Sequence, residues 1–365
     1  MEKKSCIFSS IFAFLIMASF FGCSTKGRSG DLSDQIVSDN KKYGSYISAA
    51  EKYLIESDFS GAVLVAKKNE IIFAKGYGLC DVQNEDAGYN TINTVFEAGS
   101  LTKQMTAAAV LQLEKKRKLN LDDKIDAYFP EFDRGKDISI RMLLNMRSGL
   151  TDCINAGAEF FPINIYRAIE QNQLFCTPVD ENLVLAYLPT APFIAKPGST
   201  YFYCNTNYWL LAKIIEQASG KEYHDYMTKK ILKKCHMNHS NFDFQNTDAK
   251  GYLGGVYYSI PAGLSLGCGD LNSNVVDLYR WNCAYISGKI VPKNVIKKLR
   301  KSKGYNYGFN CGNKMIFHAG STNVFNSYNS YNFKNGVSVI VLCNRPMNEC
   351  NATAVAGKLS KLLMR

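Results

Sequence analysis

The chain has 365 residues, room for two domains or for one large domain carrying an insertion. Hydrophobic residues at 46% and charged residues at 21% match globular averages and exclude collagen-like, coiled-coil or wholly disordered architectures. The net charge of +11 favours anionic surroundings such as envelope polymers or lipid headgroups. The basic clusters Lys115–Lys118 and Lys229–Lys234 interleave with apolar residues at helical spacing and read as solvated helix faces, so no nucleic-acid partner is expected.

Met1–Lys4 carries two lysines, Cys6–Phe21 is apolar or small throughout, and Gly22-Cys23-Ser24 opens a polar stretch. This is the layout of an export signal over residues 1–23, with an apolar run too short to span a bilayer comfortably. The protein is therefore expected to be exported, in the cell envelope. Residues 24–35, rich in Gly, Ser, Lys and Asp, read as a tether, leaving 36–365 as the folded domain. Tyr46, Ile47, Ala50, Tyr53 and Leu54 predict a helix, and Gly61–Ala66 with Glu70–Ala74, joined at Lys68-Asn69, predict a hairpin. Helical patterns then predominate: Leu101–Leu113, Ser139–Met146, Thr206–Ala218 and Val275–Ile286. Asn326–Phe333 and Val337–Leu342 flank Asn335-Gly336, a hairpin signal in which both turn residues tolerate positive φ. A helix closes the chain. Strands at both ends of a helical middle predict an α/β protein of the α+β sandwich type: one antiparallel sheet covered by helices, with a helical lobe at roughly 115–270 inserted.

Of the 12 cysteines, Cys6 and Cys23 belong to the signal, and the even remainder permits disulfides without specifying their pairing. The spacing of Cys80, Cys153, Cys176, Cys204, Cys235, Cys268, Cys283, Cys311, Cys343 and Cys350 matches no zinc pattern, and buried free thiols are the plainer reading. His236 and His239 beside Cys235 read as a surface helix end. No metal and no cofactor are expected.

Three short constellations carry chemistry. Ser100-Leu101-Thr102-Lys103 places a hydroxyl and an amine on one face of a helix start, and the apolar run that follows would desolvate the lysine, lower its pKa and fit it to accept a proton. The Ser100 N–H at that helix start could face an oxyanion. Taken alone, an ordinary N-cap serine is the better reading, and Ser38-Asp39-Asn40-Lys41 is a second, polar match to the same spacing. Tyr203-Cys204-Asn205 offers a phenol to shuttle protons and an amide to hydrogen-bond a substrate carbonyl, against a core tyrosine and an N-cap asparagine. His318-Ala319-Gly320-Ser321 ends the apolar strand Met315-Ile316-Phe317 with a cationic or hydrogen-bonding side chain, a glycine open to close substrate approach, and the Ser321 N–H as a second oxyanion donor.

Taken in this order and spacing, Ser-x-x-Lys, Tyr-x-Asn and His-x-Gly resemble the serine β-lactamase and penicillin-binding-protein superfamily, in its class C-like branch. Phe96-Glu97-Ala98-Gly99-Ser100, Ser148-Gly149-Leu150, Lys196-Pro197-Gly198, Gly269-Asp270-Leu271 and Tyr307-Gly308-Phe309 also look like landmarks of that family. The resemblance implies an acyl-enzyme mechanism. Ser100 is the nucleophile, Lys103 and Tyr203 manage its proton, the Ser100 and Ser321 N–H groups hold the oxyanion, and Asn205, His318 and Gly320 line the substrate pocket. The small residue before Cys23 is similar to a bacterial lipoprotein signal and implies lipidation there, although Phe20 stands where that family usually carries Leu. His318 occupies the place where β-lactamases of this branch usually carry Lys, a change shared with peptidases, aminopeptidases and esterases, and Cys204 and Asn145-Met146-Arg147 are further departures.

Gly263-Leu264-Ser265-Leu266-Gly267 satisfies the Gly-x-Ser-x-Gly elbow of another hydrolase class, with Ser265 as nucleophile and His318 as base, but Pro261 interrupts the strand that should lead into it. A penicillin- or peptidoglycan-binding sensor with little turnover is the non-enzymatic alternative. The substrate is open among D-Ala-D-Ala or other D-amino-acid peptides, β-lactams and small esters. The expected partners are that small-molecule or peptidoglycan-peptide substrate and a membrane reached through Cys23, with the protein a monomer.

Overall fold

Alternating side chains decide how the central strands are covered. The computed structural model describes residues 34–155, 179–243 and 245–364; the 1–23 signal, Cys23, nearly all of the 24–35 tether and Cys176 lie outside the described residues. The N-terminal elements are β1 (Gln35–Val37), α1 (Gly44–Glu56), β2 (Gly61–Lys67), β3 (Glu70–Tyr77) and β4 (Phe96–Glu97). The helical part carries α2 (Thr102–Lys115), α3 (Ile140–Leu144), α4 (Glu181–Tyr187), α5 (Asn205–Ser219) and α6 (Tyr223–Met227). It continues through the ribbon β5 (Tyr252–Leu253) and β6 (Val256–Tyr257), then β7 (Asn272–Ser273), α7 (Val275–Ile286) and α8 (Lys293–Leu299). The chain closes with β8 (Gly304–Asn306), β9 (Phe309–Gly312), β10 (Met315–Ser321), β11 (Asn326–Asn332), β12 (Val337–Cys343) and α9 (Ala352–Leu362).

Eight strands form one antiparallel sheet in the order β1-β3-β2-β12-β11-β10-β9-β8, joining the two ends of the chain as expected. The junction is the full-length pairing of β2 with β12, from Gly61 opposite Cys343 to Lys67 opposite Val337. On one face Val63, Val65, Val337, Val339, Val341 and Cys343 pack with Leu54 of α1 and Leu359 of α9. On the other, Ala62, Leu64, Ile340 and Leu342 join the core of the helical part. Both faces are covered, so these strands read as near-continuous apolar runs.

Three boundaries differ from the sequence reading. Gln35–Val37 already pairs with Phe73–Lys75, so the folded domain begins at the last residue assigned to the tether. Strand β10 does not stop at Phe317; its pairing with β11 continues through His318 to Ser321. In the second hairpin only Gly336 takes a positive φ, 71°, while Asn335 instead accepts the Val337 N–H on its side-chain oxygen. The first hairpin turn does place both Lys68 and Asn69 at positive φ, and the Lys68 N–H bonds to Gly336 O, so the two turns brace each other.

Helix α2 is buried from Thr102 through Leu113, as its all-round apolar composition requires. Among its buried polar residues, Gln104 accepts from Trp281 Nε1 and Asn329 Nδ2, both at 3.0 Å, tying α2 to α7 and β11. Ahead of α2, β4 pairs with β7, and the Ala98 N–H bonds to Leu271 O at 2.8 Å. These ties hold the turn that carries Ser100.

Candidate active site

Ser100 is the middle residue of a tight helical turn, Gly99–Leu101, between β4 and α2. Gly99 has φ 54°, and a side chain there would press on the Ser321 backbone, the nearest atom being Ser321 N at 3.1 Å. Glycine therefore lets the turn meet β10. The N-cap reading fails: Leu101 caps α2 without a side-chain bond, and the Ser100 hydroxyl turns elsewhere. Its Oγ accepts from Lys103 Nζ at 2.9 Å and from Tyr203 OH at 2.8 Å. The hydroxyl, the amine one helical turn on, and a phenol from the segment leading into α5 thus converge on one oxygen.

Lys103 is wholly buried, and its three N–H bonds have three acceptors: Ser100 Oγ, Asn205 Oδ1 at 2.7 Å and Cys268 O at 2.6 Å. This is the coordination of an ammonium ion. Burial alone would lower its pKa, as the sequence reading expects, but Tyr203, the Cys268 thiol and Asp152 outweigh burial and hold it above the ordinary lysine value. Lys103 is therefore a cation at rest, and the expectation of a lowered pKa is corrected.

Asn205 is committed in the same way. While its oxygen faces Lys103, its Nδ2 donates to both carboxylate oxygens of Asp152, at 3.2 and 2.9 Å. The backbone N–H of Asn205 also bonds to Asp152 at 3.1 Å, so this carboxylate caps the start of α5, where the N-cap residue Cys204 makes no side-chain capping bond. Asn205 thus positions Lys103, and its amide is not free to meet a substrate carbonyl as expected.

His318 is 2% exposed. Its Nδ1–H donates to Ala319 O at 2.6 Å, a tautomer assigned from the network, which leaves Nε2 to accept from Tyr305 OH at 3.1 Å. Burial, reinforced by the Lys103 charge, pushes its pKa down to about 3. Of the two roles expected for this side chain, cationic or hydrogen-bonding, the second is the one seen, with the ring packed against Tyr203 and Tyr305. Gly320 serves packing: a Cβ there would collide with Ala98 O and the Ser327 hydroxyl and come within 3.1 Å of Ser100 N. The Thr322 N–H bonds to Phe325 O, and because antiparallel pairing alternates, the Ser321 N–H faces away from β11. Ser321 N lies next to the Ser100 turn, 3.1 Å from where a Cβ on Gly99 would stand. The Ser100 N–H, in a first turn, has no acceptor within the helix. The Ser100 turn and the end of β10 are thus in close backbone approach, which leaves the Ser100 and Ser321 N–H groups as the candidate oxyanion donors.

The rival constellations do not assemble. Ser265 is buried and donates to Pro261 O at 2.8 Å, while His318 has its two partners elsewhere. Ser38 lies just past β1 and contacts Glu70. His236 and His239 are exposed, and among the described residues no cluster of His, Cys, Asp and Glu could hold a metal ion.

Three contributors were missed in the sequence. Asp152 follows Thr151 in a loop where a carboxylate would ordinarily be solvated. The Cys268 carbonyl belongs to the backbone, which no side-chain pattern reports. Tyr305 is one of 22 tyrosines and nothing local distinguishes it. A carboxylate closely following Ser148-Gly149-Leu150 was the one available signal.

Residues 48–357 match the family model described as Beta-lactamase. PbpX of Bacillus subtilis (strain 168), named for penicillin binding, is 27% identical over 329 residues, which cover 85% of this chain and 77% of that protein. A teichoic acid D-alanine hydrolase of Staphylococcus aureus (strain MRSA252) is 28% identical over 254 residues, 70% of this chain, and the match spans 56% of that relative's length. The octameric penicillin-binding protein homologue from Pyrococcus abyssi superposes with a TM-score of 0.73 at 28% identity, covering 88% of this chain and 77% of that one. The chain belongs to the β-lactamase family of serine hydrolases.

Proposed function

We propose that the protein is an envelope hydrolase that removes D-alanyl or similar acyl groups from esters and amides through a Ser100 acyl-enzyme. The carrying observation is the absence of an available positive charge at the two titratable nitrogens of the site. Lys103 has all three N–H bonds engaged, and His318 is neutral. A substrate recognised through a free carboxylate, as a penicillin or a D-Ala-D-Ala terminus presents, gains no ion pair from either. An ester or amide without a free carboxylate, such as a D-alanyl ester, needs none. The similarity to a protein named for D-alanine hydrolysis on teichoic acid supports the same substrate class. The export signal and Cys23 support placement at a membrane surface, held by a lipid.

At rest Tyr203 OH donates to Ser100 Oγ, so in the proton path this hydrogen bond reverses once Tyr203 has given up its proton. Lys103 cannot accept a proton it already holds, so the base for the Ser100 hydroxyl is the Tyr203 oxygen, 2.8 Å away. As base, the deprotonated Tyr203 oxygen takes the Ser100 proton, and the phenol so formed returns it to the leaving alcohol or amine. The Ser100 and Ser321 N–H groups meet the carbonyl oxygen as it gains charge, each worth roughly 2.7–4 kcal/mol. Water, giving its proton to the same Tyr203 oxygen, attacks the acyl carbon, and that proton passes to Ser100 Oγ as the acyl group leaves.

A side-by-side panel of p-nitrophenyl butyrate, D-alanine methyl ester, a D-Ala-D-Ala peptide and nitrocefin tests this reading. The first two should turn over and the last two should lag by at least tenfold in kcat/KM. Faster turnover of the peptide or nitrocefin would reverse the assignment, and acylation by penicillin with no turnover of any substrate would favour a sensor.

A further inference from the structure

We propose that Cys343 and Cys350 form a dithiol that a small-molecule disulfide converts to an intramolecular disulfide, cross-linking the end of β12 to the start of α9. Their sulfurs lie 3.3 Å apart, within S–H···S reach. The environment fixes the geometry. Cys343 ends a central strand, paired to Gly61 on one side and Asn326 on the other. The intervening loop is cinched to Asn326, whose Nδ2 donates to Arg345 O at 2.9 Å and Cys350 O at 2.7 Å and whose Oδ1 accepts from Ala352 N at 2.7 Å. The two sulfurs are thus held together by backbone pairing and a buried side chain.

The two thiols have different roles. Cys343 is fully buried, and burial together with the neighbouring sulfur keeps its thiol well above the ordinary value. Cys350, 7% exposed, is lowered by the Cys343 hydrogen bond and, to a lesser extent, by Arg345. Cys350, the less buried of the two, is the sulfur a small disulfide reaches first, and it attacks as the thiolate after losing its proton. It displaces one thiolate from a disulfide such as oxidised glutathione, forming a mixed disulfide. Cys343 then attacks the Cys350 sulfur, and its proton passes to the second departing thiolate. Two protein thiols are oxidised, and one small disulfide is reduced to two thiols. Neither cysteine belongs to the catalytic machinery, so the inference stands independently of the substrate reading.

The test is peptide mapping of the full chain after incubation with oxidised glutathione and alkylation under denaturing conditions. Cleavage after Glu349 separates the two cysteines along the chain. The fragment ending at Glu349 and the fragment beginning at Cys350 should stay joined, come apart with reductant, and carry no alkyl group at either cysteine. The oxidised protein should melt at a higher temperature than the reduced one, because the cross-link restricts the unfolded chain. In Cys350→Ser, Cys343 should be alkylated and the gain in Tm lost. Complete alkylation of both cysteines in the wild-type protein, or pairing of either with a different cysteine, would overturn the proposal without any variant having to fold.

Discussion

Asn205 Oδ1 receives a hydrogen bond from Lys103 Nζ at 2.7 Å, and the same carboxamide donates to Asp152. The amide relays a buried carboxylate to a buried ammonium without letting the two pair directly. Asp152→Ala should therefore act twice. It removes the cap of α5, at about 1–2 kcal/mol of stability, and it frees Asn205 to turn away from Lys103. Thermal melts should show the first effect and a lowered kcat with little change in KM the second. Wild-type kcat in a folded variant would show that the relay does not position Lys103.

Removal of the proton acceptor should be read from Tyr203→Phe. The ring contacts with Tyr305 and His318 survive this change, but the hydroxyl 2.8 Å from Ser100 does not. General-base assistance is worth roughly 10²- to 10⁴-fold, so kcat should fall within that range while the melting temperature stays close to wild type. Loss of less than tenfold would transfer the base role to Lys103.

Lys103→Ala should be about as severe as Tyr203→Phe for a different reason: Asn205 Oδ1 and Cys268 O lose their donor, and the Tyr203 ring loses the cation held over it. Ester turnover and thermal stability should fall together. A stable variant with retained turnover would contradict the assignment of Lys103 as the fixed ammonium.

His318→Lys restores the side chain that the class C resemblance leads one to expect. In this chain the site is buried between Tyr203 and Tyr305 and close to Lys103, so the new ammonium would face a like charge without a carboxylate. Breaking the charge balance of a buried site costs about 3–5 kcal/mol. The melt should shift down markedly with no gain in nitrocefin turnover. A stable variant with new β-lactamase activity would show that the substrate preference rests on this one residue.

Glu97, three residues before the nucleophile, gives the protein a pH-dependent stability. Burial pushes its pKa up to about 7, against the lowering effect of hydrogen bonds from Ser259, Thr322 and the Ile260 N–H. The folded state then holds this proton to higher pH than the unfolded chain, whose glutamate titrates near about 4.3. Stability is accordingly highest below the unfolded value and declines as pH rises from there through about 7. Glu97→Gln should flatten that decline in a series of thermal melts. An unchanged slope would assign the dependence to another group.

Much of this organisation was legible in the sequence where the signal is local. The valines of β2 and β12, the turn at Lys68-Asn69 and the apolar run of α2 each follow from composition over a few residues, and the ordered motifs around Ser100, Tyr203 and His318 led to the site. What was not legible depends on neighbours distant in the chain. The ammonium state of Lys103 depends on Asp152 and on the Cys268 carbonyl, 165 residues away. The neutrality of His318 depends on burial behind Tyr305. Asn205 looked like a substrate ligand because its partner Asp152 lies 53 residues earlier.

The most direct test of the account is the site of covalent labelling. After reaction with a fluorophosphonate, peptide mass spectrometry should locate the adduct on Ser100, with labelling lost in Ser100→Ala and retained in Ser265→Ala. An adduct on Ser265, or labelling that persists in Ser100→Ala, would contradict the assignment of Ser100 as the nucleophile.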